Sequence, residues 1–375
     1  MKDQRDEREH LQLFDLIARD WTLQSKAAGV VFNNDSTALA FDCSDGTIRL
    51  AATADKASPN KRMRRAADSA RLTIAPRTAP MGALKSADHT AARSSAVIPH
   101  GPSNFAFGTE TGRINTVTPG GTSVYLPHRA AGPIVAVTAT AQDDGPLAYA
   151  SGCDVMLFRA GTDSAPETAT LAGEVVTLQF SPDGKTLAIG HCSGTSVWTF
   201  GADTPGFELD LKSTGLCWSS DGRWLGCCLE TAGFALIDVA NQSAVTQENF
   251  PATVGSIAFG GDGSTVIASG AYRVAAWDLL EPEKNILTGK SGLVLIDTIA
   301  SCPTRNLVAV GYSNGLVSLA QIGEPGEILL REDTGVGVTA LAWSRDGRFL
   351  GLAGSDGSAA LVEFPDDMFK PGTTY

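Results

Sequence analysis

The feature that most constrains this chain is that it repeats itself. One unit recurs along its 375 residues. An aromatic or apolar strand end leads into a polar turn, then a short run rich in Leu, Val, Ala and Gly, a second tight turn and another β-rich run. The clearest copies are FSPDGKTLAIGHCSGTSVWTF at 180–200, WSSDGRWLGCCLETAGFALIDV at 218–239, FGGDGSTVIASGAYRVAAWDLL from 259, SCPTRNLVAVGYSNGLVSLAQI from 301 and WSRDGRFLGLAGSDGSAALVEF from 343. Weaker copies are FNNDSTALAFDCSDGTIRLAA from 32, GPSNFAFGTETGRINTV from 101 and AQDDGPLAYASGCDVMLFRA from 141.

Each copy obeys the same chemistry. Turns such as Ser181-Pro182-Asp183-Gly184 and Ser344-Arg345-Asp346-Gly347 use Asp to bond the backbone and Gly to reach positive φ. The run that follows is too short for a helix and apolar enough for a strand buried on both faces. Second turns fall at Gly46, Gly112, Gly152, Gly194, Gly233, Ala271, Gly315 and Gly357, spaced 38 to 44 residues apart after the first interval. Four short strands per period of about 40 residues is the pattern of propeller blades. A single blade cannot bury both faces, so blades must stack on neighbours and close into a ring.

The expected fold is therefore an all-β, closed β-propeller of four-stranded antiparallel blades, with eight blades counted and seven the alternative. The last copy has three strands and stops near Phe364, so its fourth must come from elsewhere. Asp20-Trp21-Thr22-Leu23-Gln24 is the candidate, with HLQLFDLIA before it as a short helix capping the edge. The expected division is 1–27 for that helix and closing strand, 28–364 for the propeller with a basic insertion at about 53–93, and 365–375 for a tail.

Residues 28 to 364 resemble the WD-repeat family. The resemblance rests on the turns SPDG, SSDG, GGDG and SRDG, the runs KTLAIG, STVIAS and RFLGLA, and the strand ends Val197-Trp198, Ile237-Asp238 and Trp277-Asp278, the last a literal Trp-Asp dipeptide. It implies a rigid disc whose faces and rim dock proteins, peptides or, less often, nucleic acid. The family's Gly-His pair and its His–Asp brace are mostly absent. The matching places read AGPIV, AGEVV and VGVTA, and Asp at the second turn survives in Asp45 and Asp356. Blade stability must then lean on apolar packing.

Three features compete for a functional role. The first is the long interval between Gly46 and Gly112. From Asp55 to Arg93 it holds nine Lys or Arg against three Asp, on a chain of formal net charge −12. An acidic surface repels nucleic acid and anionic membranes overall, so a basic arm is where an acidic partner would dock. The candidate docking residues are Lys61, Arg62, Arg64, Arg65 and Arg71. No aromatic residue interleaves them, which disfavours single-stranded nucleic acid. The competing reading is a solvated insertion whose ordered part is blade 1's outer strand, placed in ARLTIAP.

The second feature is sulfur and imidazole. Superposing the copies puts Cys153 and the His191-Cys192 pair on adjacent blades and one face, and thiolates with imidazole suit zinc. No C-x-x-C or H-x-x-H spacing supports a site, so buried thiols and a surface His are the plainer reading. The third is catalysis. The five histidines (His10, His89, His100, His128, His191) are scattered, and no G-x-S-x-G, G-x-x-x-x-G-K-[ST] or H-E-x-x-H motif occurs. Asp35, Asp144, Asp183, Asp221, Asp262 and Asp346 occupy matching turn positions, which accounts for them structurally.

Trp218 and Trp343 precede the first turn at equivalent places, and Trp198 and Trp277 lie in third strands, so core between blades is expected there. Trp224 is the odd one, with Thr186 and Phe349 as its counterparts, and is the rim candidate. The odd number of cysteines, the absence of an apolar span and the charged N-terminus read as a soluble cytoplasmic chain. Cys43, Cys192, Cys227 and Cys228 lie in apolar runs and are expected as buried thiols. The reading that follows is a non-catalytic protein-interaction scaffold with no cofactor. Zinc handling and a propeller hydrolase are the alternatives.

Overall fold

The computed structural model describes residues 12–65, 72–89, 91–142, 145–158, 166–202, 206–281 and 284–369. The strands form eight four-stranded antiparallel sheets, with one extra two-stranded hairpin. Blade 1 comprises Ala27–Phe32, Ala38–Cys43, Ile48–Ala52 and Lys85–Ser86, and blade 8 comprises Val338–Trp343, Phe349–Gly354, Ser358–Glu363 and Ala18–Thr22. The first strands of successive blades touch one another around the whole circle, blade 8 to blade 1 included. They line a central channel, and the fourth strands form the rim.

Because each blade is a meander, its connections sort by face. The second turn and the link to the next blade lie where the inner strand begins, here termed the near face. The first turn and the link from third to fourth strand lie on the far face.

The first turns repeat one hydrogen-bonded cassette. In Ser181–Thr186, Ser219–Trp224 and Ser344–Phe349 the serine hydroxyl donates to the Asp two residues on, at 2.6 to 2.7 Å. It also accepts from the backbone N–H five residues on, at 2.9 to 3.0 Å. The Asp accepts a further N–H, and Gly184, Gly222 and Gly347 sit at φ between +68° and +72°. Asp35 and Asp262 make the same two-residue contact without the serine. The turn aspartates are thus occupied by structure. Asp144 lies outside the described residues.

Eight apolar clusters occupy the eight seams, one between each pair of neighbouring blades. Between blades 3 and 4, for example, Leu157 and Val155 meet Leu187, Ile189 and Trp198. Two tryptophans add a polar stitch. Trp218 Nε1 donates to Gln179 O at 3.1 Å and Trp343 Nε1 to Ala300 O at 3.0 Å, each reaching the preceding blade. Trp198 and Trp277 are buried as expected. Trp224, the rim candidate, opens the second strand of blade 5 instead, half-buried against the blade 5–6 cluster with the Arg223 guanidinium 4.9 Å over its ring.

Closure uses the N-terminus. Ala18–Thr22 pairs antiparallel with Ser358–Val362, and Leu23 N–H donates to Gly357 O at 2.7 Å. The preceding helix, Leu13–Ile17, packs Leu13, Phe14, Leu16 and Ile17 onto the seam between blades 7 and 8. One expectation is corrected. Blade 1's outer strand is Lys85–Ser86 and not ARLTIAP. Leu72–Ile74 pairs instead with Met63–Arg65, a partner only a short loop away, and closing a short loop costs less chain entropy than crossing back to the blade.

Replacing Ser344 by Ala deletes both hydroxyl bonds of the blade 8 turn. We expect a stability loss of about 1 kcal/mol in urea unfolding, the usual net worth of such bonds. A loss no greater than that of an exposed surface substitution would refute the role of the serine.

Candidate interaction surface

The basic insertion connects the third and outer strands of blade 1, which places it on the far face. It is folded there against the closing strand. Asp55 sits between Arg77, which contacts it through both guanidinium nitrogens, and Arg19 of the closing strand, 3.9 Å away. The three side chains are between 7 and 13 % exposed, so the cluster is effectively buried. Arg19 also donates to Thr53 O at 2.9 Å. Burial works to raise the Asp55 carboxyl. The Arg77 and Ala57 hydrogen bonds, with the charges of Arg77 and Arg19, reverse that and hold it below the usual carboxylate range. Farther along, Trp21 Nε1 donates to Gly82 O and Asp20 N–H points at the Met81 sulfur, so the insertion covers the free edge of the closing strand.

This frame separates the candidate docking residues. Arg62 is buried, and its guanidinium donates to the carbonyls of Ala57, Ala75 and Leu16. It is a structural stay and not a docking residue, because three carbonyls surround it and no face is open to a partner. Lys61, Arg64 and Arg65 are exposed on the short helix Pro59–Arg62 and the hairpin that follows. Arg71 lies outside the described residues. The candidate cations Lys61, Arg64 and Arg65 thus stand on strands held from beneath by Arg62 and by Ile74, which packs on the blade 7–8 seam.

The sulfur and imidazole set is not assembled. Among the described residues no three His, Cys, Asp or Glu side chains gather closely enough to hold a metal ion. His191, expected at the surface, is fully buried. Its Nε2 lies 2.9 Å from Ser196 Oγ and 3.6 Å from Glu208 Oε1. Beside it Thr195 Oγ1 lies 2.6 Å from Ser213 Oγ and donates to Leu211 O, tying blade 4 to blade 5. This polar pair braces the blade where the family's His–Asp contact is missing. It is not a nucleophile assembly, since Ser196 is buried too and Glu208 meets the same imidazole nitrogen as the serine. Cys192 lies exposed in the second turn and Cys153 is half-buried, whereas Cys43, Cys227 and Cys228 are buried. Burial pushes the thiols of Cys227 and Cys228 up to about 12, so neither ionises in neutral solution.

At the near face the inner strands of blades 1, 4, 5, 7 and 8 each carry a bulge in their first turn of pairing. Ala28, Val176, Thr214, Asp297 and Thr339 are the bulged residues and ring the channel mouth. A recess of about 410 Å³ runs along the inner strands of blades 2 to 5, lined by Ile98, Val137, Leu178 and Leu216 together with Thr177 and Gln179. Asp297 is the one carboxylate among these bulged residues. The surrounding turns present exposed carboxylates, among them Asp45, Glu110, Glu174, Glu230, Asp333 and Asp356. Sequence reasoning missed Leu293, which is 96 % exposed, beside Tyr272 at 46 %. The signal available was an apolar residue inside the Gly-flanked link GKSGLVL.

Residues 329–361 match the profile of the family described as WD domain, G-beta repeat. In the structure that stretch runs from the outer strand of blade 7 through the three strands of blade 8. The chain is a β-propeller with a WD-repeat match in its last blade. Its fold is similar to the C-terminal WD40 domain of Sif2, with 16 % identity, 94 % of this chain and 99 % of that chain covered, and a TM-score of 0.66. It is also similar to the Cps50 (Swd1) β-propeller domain of Myceliophteria thermophila, at 12 % identity, with 72 % and 97 % covered and a TM-score of 0.53. At these identities the likeness extends to fold alone. No curated relative matches. The matched WD repeat straddles two blades, which is why the last blade of this propeller waits for a strand from the N-terminus. Among the described residues no helix is long and apolar enough to cross a membrane.

Two outcomes are expected. Asp55→Ala leaves Arg19 and Arg77 buried without their carboxylate and should cost about 3 kcal/mol. Hydrogen exchange should quicken in Ala18–Thr22 before the other blades, and uniform exchange across blades would refute the link to closure.

The second concerns pH. Burial lowers the pKa of both His191, against a weaker raising effect of Glu208, and His100. The unfolded chain takes up protons at these sites near pH 6.5 while the folded chain resists. Stability from them is therefore full above about 6.5 and lost as pH falls toward the folded values. His191→Gln and His100→Gln together should flatten the loss between neutral and mildly acid pH. An unchanged slope would count against it.

Proposed function

We propose that this WD-repeat propeller is a non-catalytic interaction scaffold whose far-face basic hairpin docks an acidic segment of a partner protein. The observation that carries the reading is the exposed set Lys61, Arg64 and Arg65 on a hairpin anchored by buried Arg62 and the Asp55–Arg77 pair, within a chain of net charge −12. An ordered cationic hairpin loses less side-chain and loop freedom on binding than a loose arm would. Charge complementarity between these cations and an acidic segment favours specificity and fast association. Seven free cysteines fit a reducing compartment such as the cytoplasm.

The test is co-purification from native cells by the wild type and by the Lys61→Glu/Arg64→Glu/Arg65→Glu variant. Partners should fall away from the variant, and also from the wild type as salt rises and screens the charges. An identical, salt-insensitive partner set in both would remove the hairpin from the function.

A further inference from the structure

The cations of the far face do not stop at the hairpin. Arg348 stands in the first turn of blade 8, just before its second strand, with its side chain 47 % exposed. Its guanidinium lies 5.5 Å over the ring of Phe349, and the buried Glu363 carboxylate is 3.9 Å away. The chain after blade 8 then turns back over this face. Phe364 stacks on Trp343 with centroids 5.1 Å apart, Met368 is buried in the blade 7–8 seam, and Phe369 lies 5.1 Å from the Arg305 guanidinium. Between these anchors Asp366 is held by its backbone. Its N–H donates to Asn60 Oδ1 at 3.0 Å, one residue from Lys61. Its side chain is 66 % exposed, with Oδ1 3.9 Å from Arg348 Nε.

Neither ion pair of Arg348 is a hydrogen bond, since 3.9 Å is beyond bonding distance. Among the described residues the Arg348 side chain donates no hydrogen bond at all. A guanidinium carries five N–H donors in a planar fork that meets a carboxylate at two points. Its neighbours have spent theirs differently. Arg62 gives its donors to three backbone carbonyls, and Arg305 donates to Gly347 O at 2.8 Å. The Arg348 fork is propped by Phe349, balanced from below by Glu363 and still unspent.

We infer that Arg348 is a further docking cation for the acidic partner segment, and that Asp366 masks it until a carboxylate of that segment takes its place. The inference rests on the hairpin reading and extends that surface onto blade 8. Asp366 makes the two sites neighbours, because it is bonded to Asn60 at the base of the hairpin and faces Arg348. The exchange is local. One exposed side chain turns aside, while Phe364, Met368 and Phe369 stay packed. An exposed ion pair without hydrogen bonds is weak, whereas a carboxylate seated on the fork gains two charge-assisted bonds. The mask also discriminates. A segment that brings no carboxylate to Arg348 meets Asp366 as a like charge and gains nothing from blade 8.

The experiment titrates a fluorescent oligoglutamate peptide into the full chain at low salt. Asp366→Asn keeps the backbone bond to Asn60 and should bind the peptide about threefold more tightly than the wild type. Arg348→Gln should bind it about fivefold more weakly, and Asp366→Asn added to that variant should restore nothing. This cancellation distinguishes a masked partner from the general field of a lost negative charge, which would raise affinity in both backgrounds. Should Arg348→Gln fail to fold, Arg348→Lys keeps the charge beside Glu363 without the fork and should also bind more weakly. Unchanged affinity in Lys61→Glu/Arg64→Glu/Arg65→Glu would remove the hairpin and leave Arg348 supported by its own variants. Unchanged affinity in Asp366→Asn, a gain that survives in Arg348→Gln, or no binding by either the wild type or Asp366→Asn would each overturn the masking.

Discussion

The structure depends on one constraint: a four-stranded blade has two apolar faces, and only neighbouring blades can cover both. Eight seams each hold their own cluster, and no blade carries a core of its own. An open row would leave two faces wet, so the ring must close, and the pairing of Ala18–Thr22 with Ser358–Val362 completes the last blade that blade 1 packs against. The rest of the molecule is arranged around protecting that pairing. The helix Leu13–Ile17 fills the groove on one side of it, and the insertion covers its edge on the other.

The insertion gains its meaning from this. Its cations are divided between two tasks that composition alone treats as one. Arg77, Arg62 and Arg19 of the closing strand work inward, on Asp55 and on backbone carbonyls. Lys61, Arg64 and Arg65 face solvent. A strap that secures the ring is at the same time a stiff support for surface charge.

Much of this architecture was legible in the residues. Blade number, the turn cassette, the closing strand and the buried Trp198, Trp277, Trp218 and Trp343 follow from local chemistry and phase, since a Ser-x-Asp-Gly turn and an apolar run behave alike wherever they recur. The outer strand of blade 1 was misplaced because ARLTIAP has β-forming residues but no repeat phase to assign its partner. His191 was misjudged for a related reason: its neighbour Cys192 does turn out into solvent, but the imidazole one residue earlier still belongs to the strand and points at Ser196. Arg62 reads as one more surface cation until its three carbonyl acceptors, 5, 13 and 46 residues away, are in place.

The division has a physical cause. Spacing of turns and alternation of apolar runs are short-range properties, written in consecutive residues, and they determined that this chain stacks eight sheets into a ring and needs its own N-terminus to finish it. Which cation is buried and which imidazole is buried depend on groups far apart in the chain. Those were decided only when closure brought residues 16, 19, 55, 62 and 77 into one place.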